Sequence, residues 1–259
     1  MVANEPYCTA EDRTWNPPSR GTFMRMSWLD LLFIHYKVDA AALRDLLPDS
    51  VELDTFDGEA WIGIVPFQMA DVAPRWVPNL PLVSRFPELN VRTYVTVEGK
   101  PGVWFFSLDA TSKIAVRTAR WLFHLNYVDS KIEVKKASNH CPGKWIQYHS
   151  IRTDTTAAAA ELHCEYRPVG DCYFAKPNTL VHWLTARYCL YTTNSQGQLF
   201  RGEINHQPWR LRDAQAILHI NSMADALGLE LGQQKPLLHF SEETNVVAWS
   251  LDKVNLPYP

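Results

Sequence analysis

The residue types able to do chemistry are densest between Phe86 and Tyr127. There FPELNVRTYV is followed, past a turn, by VWFFSLDA and then by a stretch carrying Arg117, Arg120 and His124. On an extended strand, positions 88, 90 and 92 share one face. Glu88, Asn90 and Arg92 therefore line up as an acid, an amide and a cation. Such a trio suits a carboxylate or carbonyl ligand, with Arg92 as a bidentate anchor and Asn90 beside it. Glu88 would move a proton, because burial lifts a carboxyl pKa toward neutrality. The competing reading is a buried Glu88–Arg92 ion pair that fixes strand register.

Three further groupings qualify. Arg120 and His124 lie four apart, on one face of a helix; they either meet a cavity beside Tyr127 or form a solvated stripe with Arg117. Arg187, Cys189 and Tyr191 alternate along an apparent strand, and Arg with Tyr suits anion recognition. The structural alternative is a Tyr hydroxyl satisfied at a sheet edge and Arg187 paired with an acid such as Glu203. Cys189 has no adjacent His to activate it, and a buried Cys is usually inert. Glu203 and His206, three apart, face opposite ways on a regular strand unless a bulge intervenes; Gly202 and Pro208 make irregularity there reasonable. The candidate set is thus Glu88 as the catalytic group, with Arg92, Asn90, Arg120, Tyr127, Arg187, Tyr191 and His206 as substrate-binding groups.

These side chains need elements to hold them. Residues 1–21 are polar and Pro-bearing and read as a flexible N-terminal arm; residues 22–259 read as a single domain. Met24 to Val38 predicts a long buried strand, after which Asp39 caps a short helix over Ala40–Leu47 ended by Pro48. Asp57-Gly58 predicts a hairpin between Val51–Thr55 and Ala60–Met69. A Pro-rich connection over 71–87 predicts a loop. Strands are expected at 91–97 and 103–108, then a helix from Thr111 or Ser112 to about Phe123. Further strands are expected near 131–136, 144–151, 160–166, 187–192, 198–205, 237–240 and 246–251. Short helices are expected over Leu180–Ala186 and from Asn221 to Leu227, the latter ended by Gly228. Many strands with a few short helices, no repeat and no composition break predict one mainly-β domain, a curved sandwich or barrel with helices packed on it.

Composition narrows the function classes. The chain has 259 residues, 46% of them hydrophobic, which is ample for a sizeable core. A net charge of −3 and a pI near 6.3 argue against a nucleic-acid partner. The five cysteines are odd in number, show no CxxC spacing and read as reduced thiols of a cytoplasmic protein. No apolar run is long enough to span a membrane. No nucleophile elbow, dinucleotide fingerprint, P-loop or paired metal-ligand motif occurs. The nine His are scattered, and each alone reads as structural. No cofactor and no metal are expected; the expected partner is a small molecule, with a homo-oligomer left open.

Several segments together carry a resemblance. FIHYKVD (33–39), LRDLLP (43–48), FDGEAWIG (56–63), FPELNVRTY (86–94), FSLDA (106–110), RYCLY (187–191) and GEINHQPW (202–209) resemble the YqjF-like family of uncharacterised, mostly bacterial proteins. Beneath this, the order of these motifs is similar to acetoacetate decarboxylase. That similarity implies a cone-like or barrel-like antiparallel β fold with an internal small-molecule cavity, and it matches Glu88 to a cavity carboxylate. The decarboxylase uses a Schiff-base lysine in a Pro-Lys-Lys step just after its helix. The matching step here is Leu125-Asn126-Tyr127-Val128, and Lys131 comes three or four residues late. Both lysines are missing, which argues against decarboxylation by that route. Two readings follow: an enzyme acting on an oxo- or hydroxy-acid-like substrate through Glu88, or a non-catalytic binder of a carboxylate or apolar metabolite in the same cavity. A structural or interaction module is the third, and would show a large exposed aromatic patch in place of a closed cavity.

Overall fold

A computed structural model describes residues 12–76, 85–111, 125–136 and 145–255. The predicted helix over 112–123, and with it Arg117, Arg120 and His124, lies outside the described residues, as does part of the Pro-rich connection.

One sheet of 13 strands dominates. The strands are β1 (Met24–Val38), β2 (Glu52–Leu53), β3 (Ala60–Pro74), β4 (Phe86–Val97), β5 (Lys100–Ala110), β6 (Tyr127–Lys136) and β7 (Ile146–Arg152). They continue with β8 (Glu161–Tyr173), β9 (Cys189–Thr193), β10 (Leu199–His206), β11 (Leu211–Asn221), β12 (Leu237–Ala248) and β13 (Asp252–Lys253). Two short α-helices are described, α1 (Ala40–Asp45) and α2 (Leu180–Thr185). The order is β13-β10-β9-β5-β6-β7-β8-β11-β12-β1-β3-β4-β2, and further pairings β4–β5 and β10–β12 close it on itself. The wall is antiparallel except where β5 runs parallel to β6 at Leu108–Ala110 and to β9 at Val103–Trp104. The expected curved, mainly antiparallel β architecture is thus observed, with these two parallel seams as the departure.

Local chemistry explains the joints. Asp39 Oδ1 accepts the Ala42 N–H at 2.8 Å and starts α1. Glu98 (φ 52°) and Gly99 (φ 71°) form the tight turn between β4 and β5; two successive positive φ values are what a two-residue hairpin with native twist requires. Asp57 and Gly58 form the same kind of turn, but it closes only a single bridge, Phe56–Glu59. Strand β2 leaves that hairpin and pairs with β4. The two expected C-terminal strands are one, β12, and the 3₁₀ turn at Asp225–Leu227 stands where a helix capped by Asn221 was expected, because Asn221 still pairs with Leu162 as the end of β11.

Strands β1, β3 and β4 are buried on both faces, so alternation splits their side chains between two cores. Leu32, Ile34, Ile62, Ile64, Leu89 and Val91 enter one core. Leu31, Phe33, Val65, Phe67 and Phe86 enter the other, with Leu108, Tyr127 and Trp209. Glu88, Asn90 and Arg92 of β4 share the face of this second core. No helix among the described residues is long and apolar enough to cross a membrane.

Candidate functional site

Glu88, Asn90 and Arg92 occupy alternate positions on β4, opposite Phe67, Val65 and Gly63 of β3. All three are buried. Phe33, Val65, Phe67 and Phe86 of the second core lie around them, and this apolar setting governs their chemistry. Glu88 accepts a hydrogen bond from the Tyr127 hydroxyl at 3.2 Å, and its carbonyl takes the Tyr148 hydroxyl at 2.8 Å. Burial pushes its carboxyl up to about 8; the Tyr127 hydrogen bond opposes this and the charge of Asp109 adds to it. Glu88 is therefore a protonated acid at neutral pH. Burial also drives the Tyr127 hydroxyl well above its ordinary range, so it remains a donor.

Arg92 does not pair with Glu88. Its Nη2 donates to the Leu184 carbonyl at 3.4 Å, its Nε has no acceptor, and no carboxylate among the described residues neutralises it. The guanidinium instead leans over the Phe33 and Tyr94 rings, at 5.5 and 5.9 Å. The alternative reading of a Glu88–Arg92 ion pair does not hold, and among the described residues no other carboxylate compensates this cation. Asn90 Oδ1 is likewise buried without a donor. Unpartnered buried polar atoms are rare, and each calls for an explanation.

The sequence reading had not singled out His35. It lies on the same face as Arg92, across Gly63, where an added Cβ would sit 3.2 Å from the imidazole and 3.4 Å from Arg92 Cγ. Gly63 thus lets the ring and the guanidinium approach. His35 Nε2 and the Tyr94 hydroxyl are 2.7 Å apart. Burial first, then the Arg92 and His239 charges, hold His35 well below its ordinary pKa. The alternation of β1 was the signal that could have found it, since Phe33 and His35 share a face.

His206 joins from β10. Its Nδ1 faces the Gln207 carbonyl at 2.7 Å, and its ring stacks on Tyr188 and tilts against Trp209. Burial lowers its pKa to about 4; the Gln207 and Arg187 backbone carbonyls oppose this and Arg92 assists it. Trp209 touches Phe33 edge-on at 5.1 Å, linking His206 to the floor beneath Arg92.

The remaining candidates are placed differently. Arg187 lies in the turn between α2 and β9, off the strand face expected for it. Its Nη1 pairs with Asp54 at 2.6 Å, and its guanidinium covers Trp183 and Tyr94. Arg92 and Arg187 thus flank the Tyr94 ring, one neutralised and one not. Tyr191 belongs to the other core, where its hydroxyl donates to the Lys100 carbonyl at 2.8 Å. Glu203 pairs with neither Arg187 nor His206; it is enclosed by Arg13, which ion-pairs with it, and by the Trp15 indole N–H at 3.0 Å, with Lys100 and Arg201 at 3.6 and 3.4 Å. The described part of the arm is thereby tied to β10. Burial raises the Cys189 thiol to about 12, which leaves it un-ionised. Arg120 lies outside the described residues.

Comparison with known proteins places this chain in a family. Residues 25–245 match the model of DUF2071, described as an uncharacterized conserved protein. The uncharacterized protein YqjF of Bacillus subtilis (strain 168) is 43% identical over 230 residues, covering 89% of this chain and 92% of that protein. Among solved structures, an acetoacetate decarboxylase-like enzyme from Sphingomonas wittichii RW1 superposes with a TM-score of 0.64 at 11% identity, covering 94% of this chain and 99% of that one. The enduracididine biosynthesis enzyme MppR complexed with pyruvate gives 0.63 at 12% identity, over 93% and 92% of the two chains. Acetoacetate decarboxylase from Legionella pneumophila gives 0.59 at 14%, over 95% and 94%. At such identities the likeness is one of fold. The family match and the YqjF relative go further: the chain belongs to the DUF2071 family of uncharacterized conserved proteins and has an acetoacetate-decarboxylase-like fold.

Proposed function

We propose that the Glu88–Asn90–Arg92 face binds a small carboxylate of the oxo- or hydroxy-acid class, with Arg92 as its counter-ion and Glu88 as its proton donor. The observation that carries this reading is Arg92 itself, a buried guanidinium with no carboxylate partner among the described residues. A buried cation is costly unless paired, and a ligand carboxylate supplies the missing charge in the bidentate geometry that guanidinium favours. Glu88, four residues away on the same face, is held protonated and can donate to a carbonyl or enolate oxygen. That MppR has been captured with pyruvate supports the same ligand class in a shared fold.

Turnover on this reading is acid/base chemistry through Glu88. No Schiff base forms at the step where the resemblance implies a lysine, because Tyr127 stands there with its hydroxyl on Glu88. The same observation favours a second reading, a binder without catalysis, since the nucleophile is replaced by a group that only fixes the acid.

A thermal-shift series with pyruvate, longer oxo acids and the matching hydroxy acids tests both readings. A ligand that binds only the folded state raises the melting temperature. The expected result is a shift in wild type that vanishes in Arg92→Gln; no shift with any carboxylate would overturn the assignment. Glu88→Gln separates the readings: loss of turnover with retained binding marks an enzyme, and a change in affinity alone marks a binder.

A further inference from the structure

Three of the histidines, scattered in sequence, meet on the outer face of the wall. Strand pairing sets His149 of β7 directly opposite His163 of β8. On the other side His163 faces Ile220, and the register slips between Leu218 and Ile220 of β11, which brings His219 alongside. A bulge of this kind re-aims a side chain. The ring centroids lie 4.7 Å apart for His149–His163 and 4.8 Å for His163–His219, at tilts of 33° and 40°. Each outer ring has a carboxylate on its Nε2: Glu161 at 2.8 Å for His149 and Glu165 at 3.6 Å for His219. Glu133 of β6 continues the row opposite His149.

This arrangement has the parts of a metal-binding pair. An imidazole that gives Nε2–H to a carboxylate presents a bare, more basic Nδ1, and carboxylate partners of this kind orient metal-binding histidines. The central His163 has no hydrogen-bond partner among the described residues, so both its nitrogens can serve. His149 and His219 are solvent-accessible, with side-chain exposures of 37% and 41%, so an ion reaches them without any opening of the fold.

We propose that His163, with one flanking imidazole, chelates a late first-row divalent ion, water completing the coordination sphere. No three side chains among the described residues already surround one point, which is why the site is assigned two imidazoles and no more. Rotation of exposed rings brings two nitrogens onto one ion while the strands stay fixed. Imidazole donors without thiolate favour Cu2+ and Ni2+ over Zn2+, and exclude Ca2+ and Mg2+ as ligands of choice. An ion held here staples β8 to its neighbour, on the face of β7 opposite Tyr148, whose hydroxyl reaches the Glu88 carbonyl.

The test is titration of the full chain at pH 7.5 with Ni2+ by calorimetry and with Cu2+ by electron paramagnetic resonance. Wild type is expected to take up one equivalent with a two-imidazole nitrogen signature. His163→Gln should abolish it, the double variant Glu161→Gln/Glu165→Gln, which removes the carboxylate from both flanking rings, should weaken it by about tenfold, and His182→Gln, outside the row, should leave it unchanged. Acidification should release the ion, because protons compete for the same nitrogens. Binding of equal strength in His163→Gln, or a signature from sulfur ligands, would overturn the proposal. A check that needs no variant is paramagnetic broadening: Cu2+ below one equivalent should broaden the ring signals of His149, His163 and His219 first, and broadening centred elsewhere would contradict the site.

Discussion

Glu88 and Arg92 share one face of β4 and yet do not touch each other's charge. The carboxyl is held protonated against Tyr127, while the guanidinium spreads over Phe33 and Tyr94 with a single long bond to the Leu184 carbonyl. An acid and a base within one strand would normally collapse into an ion pair if left to each other. Keeping the guanidinium buried with no carboxylate partner among the described residues costs stability.

The acid leaves a signature in stability against pH. Its folded pKa of about 8 lies above the unfolded value, so the folded state binds more protons and stability falls as pH rises. His35 and His206 act oppositely, because their folded pKa values are lowered; they destabilise the fold as pH drops below about 6.5, where the unfolded imidazoles take up protons. Between about pH 7.5 and 8, where unfolded imidazoles are already mostly neutral, the Glu88 slope stands clear of both. Wild type should lose stability across that window, approaching about 1.4 kcal/mol per pH unit at most, and Glu88→Gln should flatten the slope. Denaturant melts at half-unit pH steps measure it.

Arg92→Met should raise the stability of the ligand-free protein by about 0.5–2 kcal/mol, because an apolar side chain of similar length removes a buried cation that has no carboxylate partner among the described residues. The same variant should lose carboxylate binding. A fall in stability greater than 1 kcal/mol would instead mark Arg92 as a structural residue.

A second buried cation behaves in the opposite way because it is fully paired. Arg152 gives Nε and Nη2 to the two oxygens of Asp109 at 2.9 and 3.0 Å, and Ser107 and Ser130 supply the remaining donors. Removing one charge strands the other, so Asp109→Asn should cost about 3–5 kcal/mol. Urea titration compares it directly with Arg92→Met, and the two signs should differ.

Arg13 and Glu203 are buried together and tie the described part of the N-terminal segment to β10. Arg13→Ala should release that segment locally while the sheet stays folded. Limited proteolysis near Trp15 should then speed up by about tenfold, as expected for a local opening made easier by about 1.4 kcal/mol.

The elements of the candidate site were legible in sequence where the signal was local. Alternation placed Glu88, Asn90 and Arg92 on one face and Asp39 marked the start of α1, while the turn expected over 98–102 proved tighter, with β5 already under way at Lys100. What depended on distant partners was not legible. Arg187 had a nearer-seeming acid in Glu203 but pairs with Asp54, while Glu203 is taken by Arg13, 190 residues away. Strand β11 (LRDAQAILHIN) escaped notice because small and charged residues mask its period of two; only one of its side chains, Leu211, is fully buried. The histidine row needs the pairing of β7, β8 and β11 before it exists at all.

The most direct measurement is calorimetric titration of pyruvate into wild type and Arg92→Gln, both confirmed folded by their melting curves. One site per chain in wild type and none in Arg92→Gln is the predicted result, with Glu88→Gln still binding. Equal binding by wild type and Arg92→Gln, or a wild type that takes up neither pyruvate nor any longer oxo acid, would contradict the assignment of Arg92 as the counter-ion of a bound carboxylate.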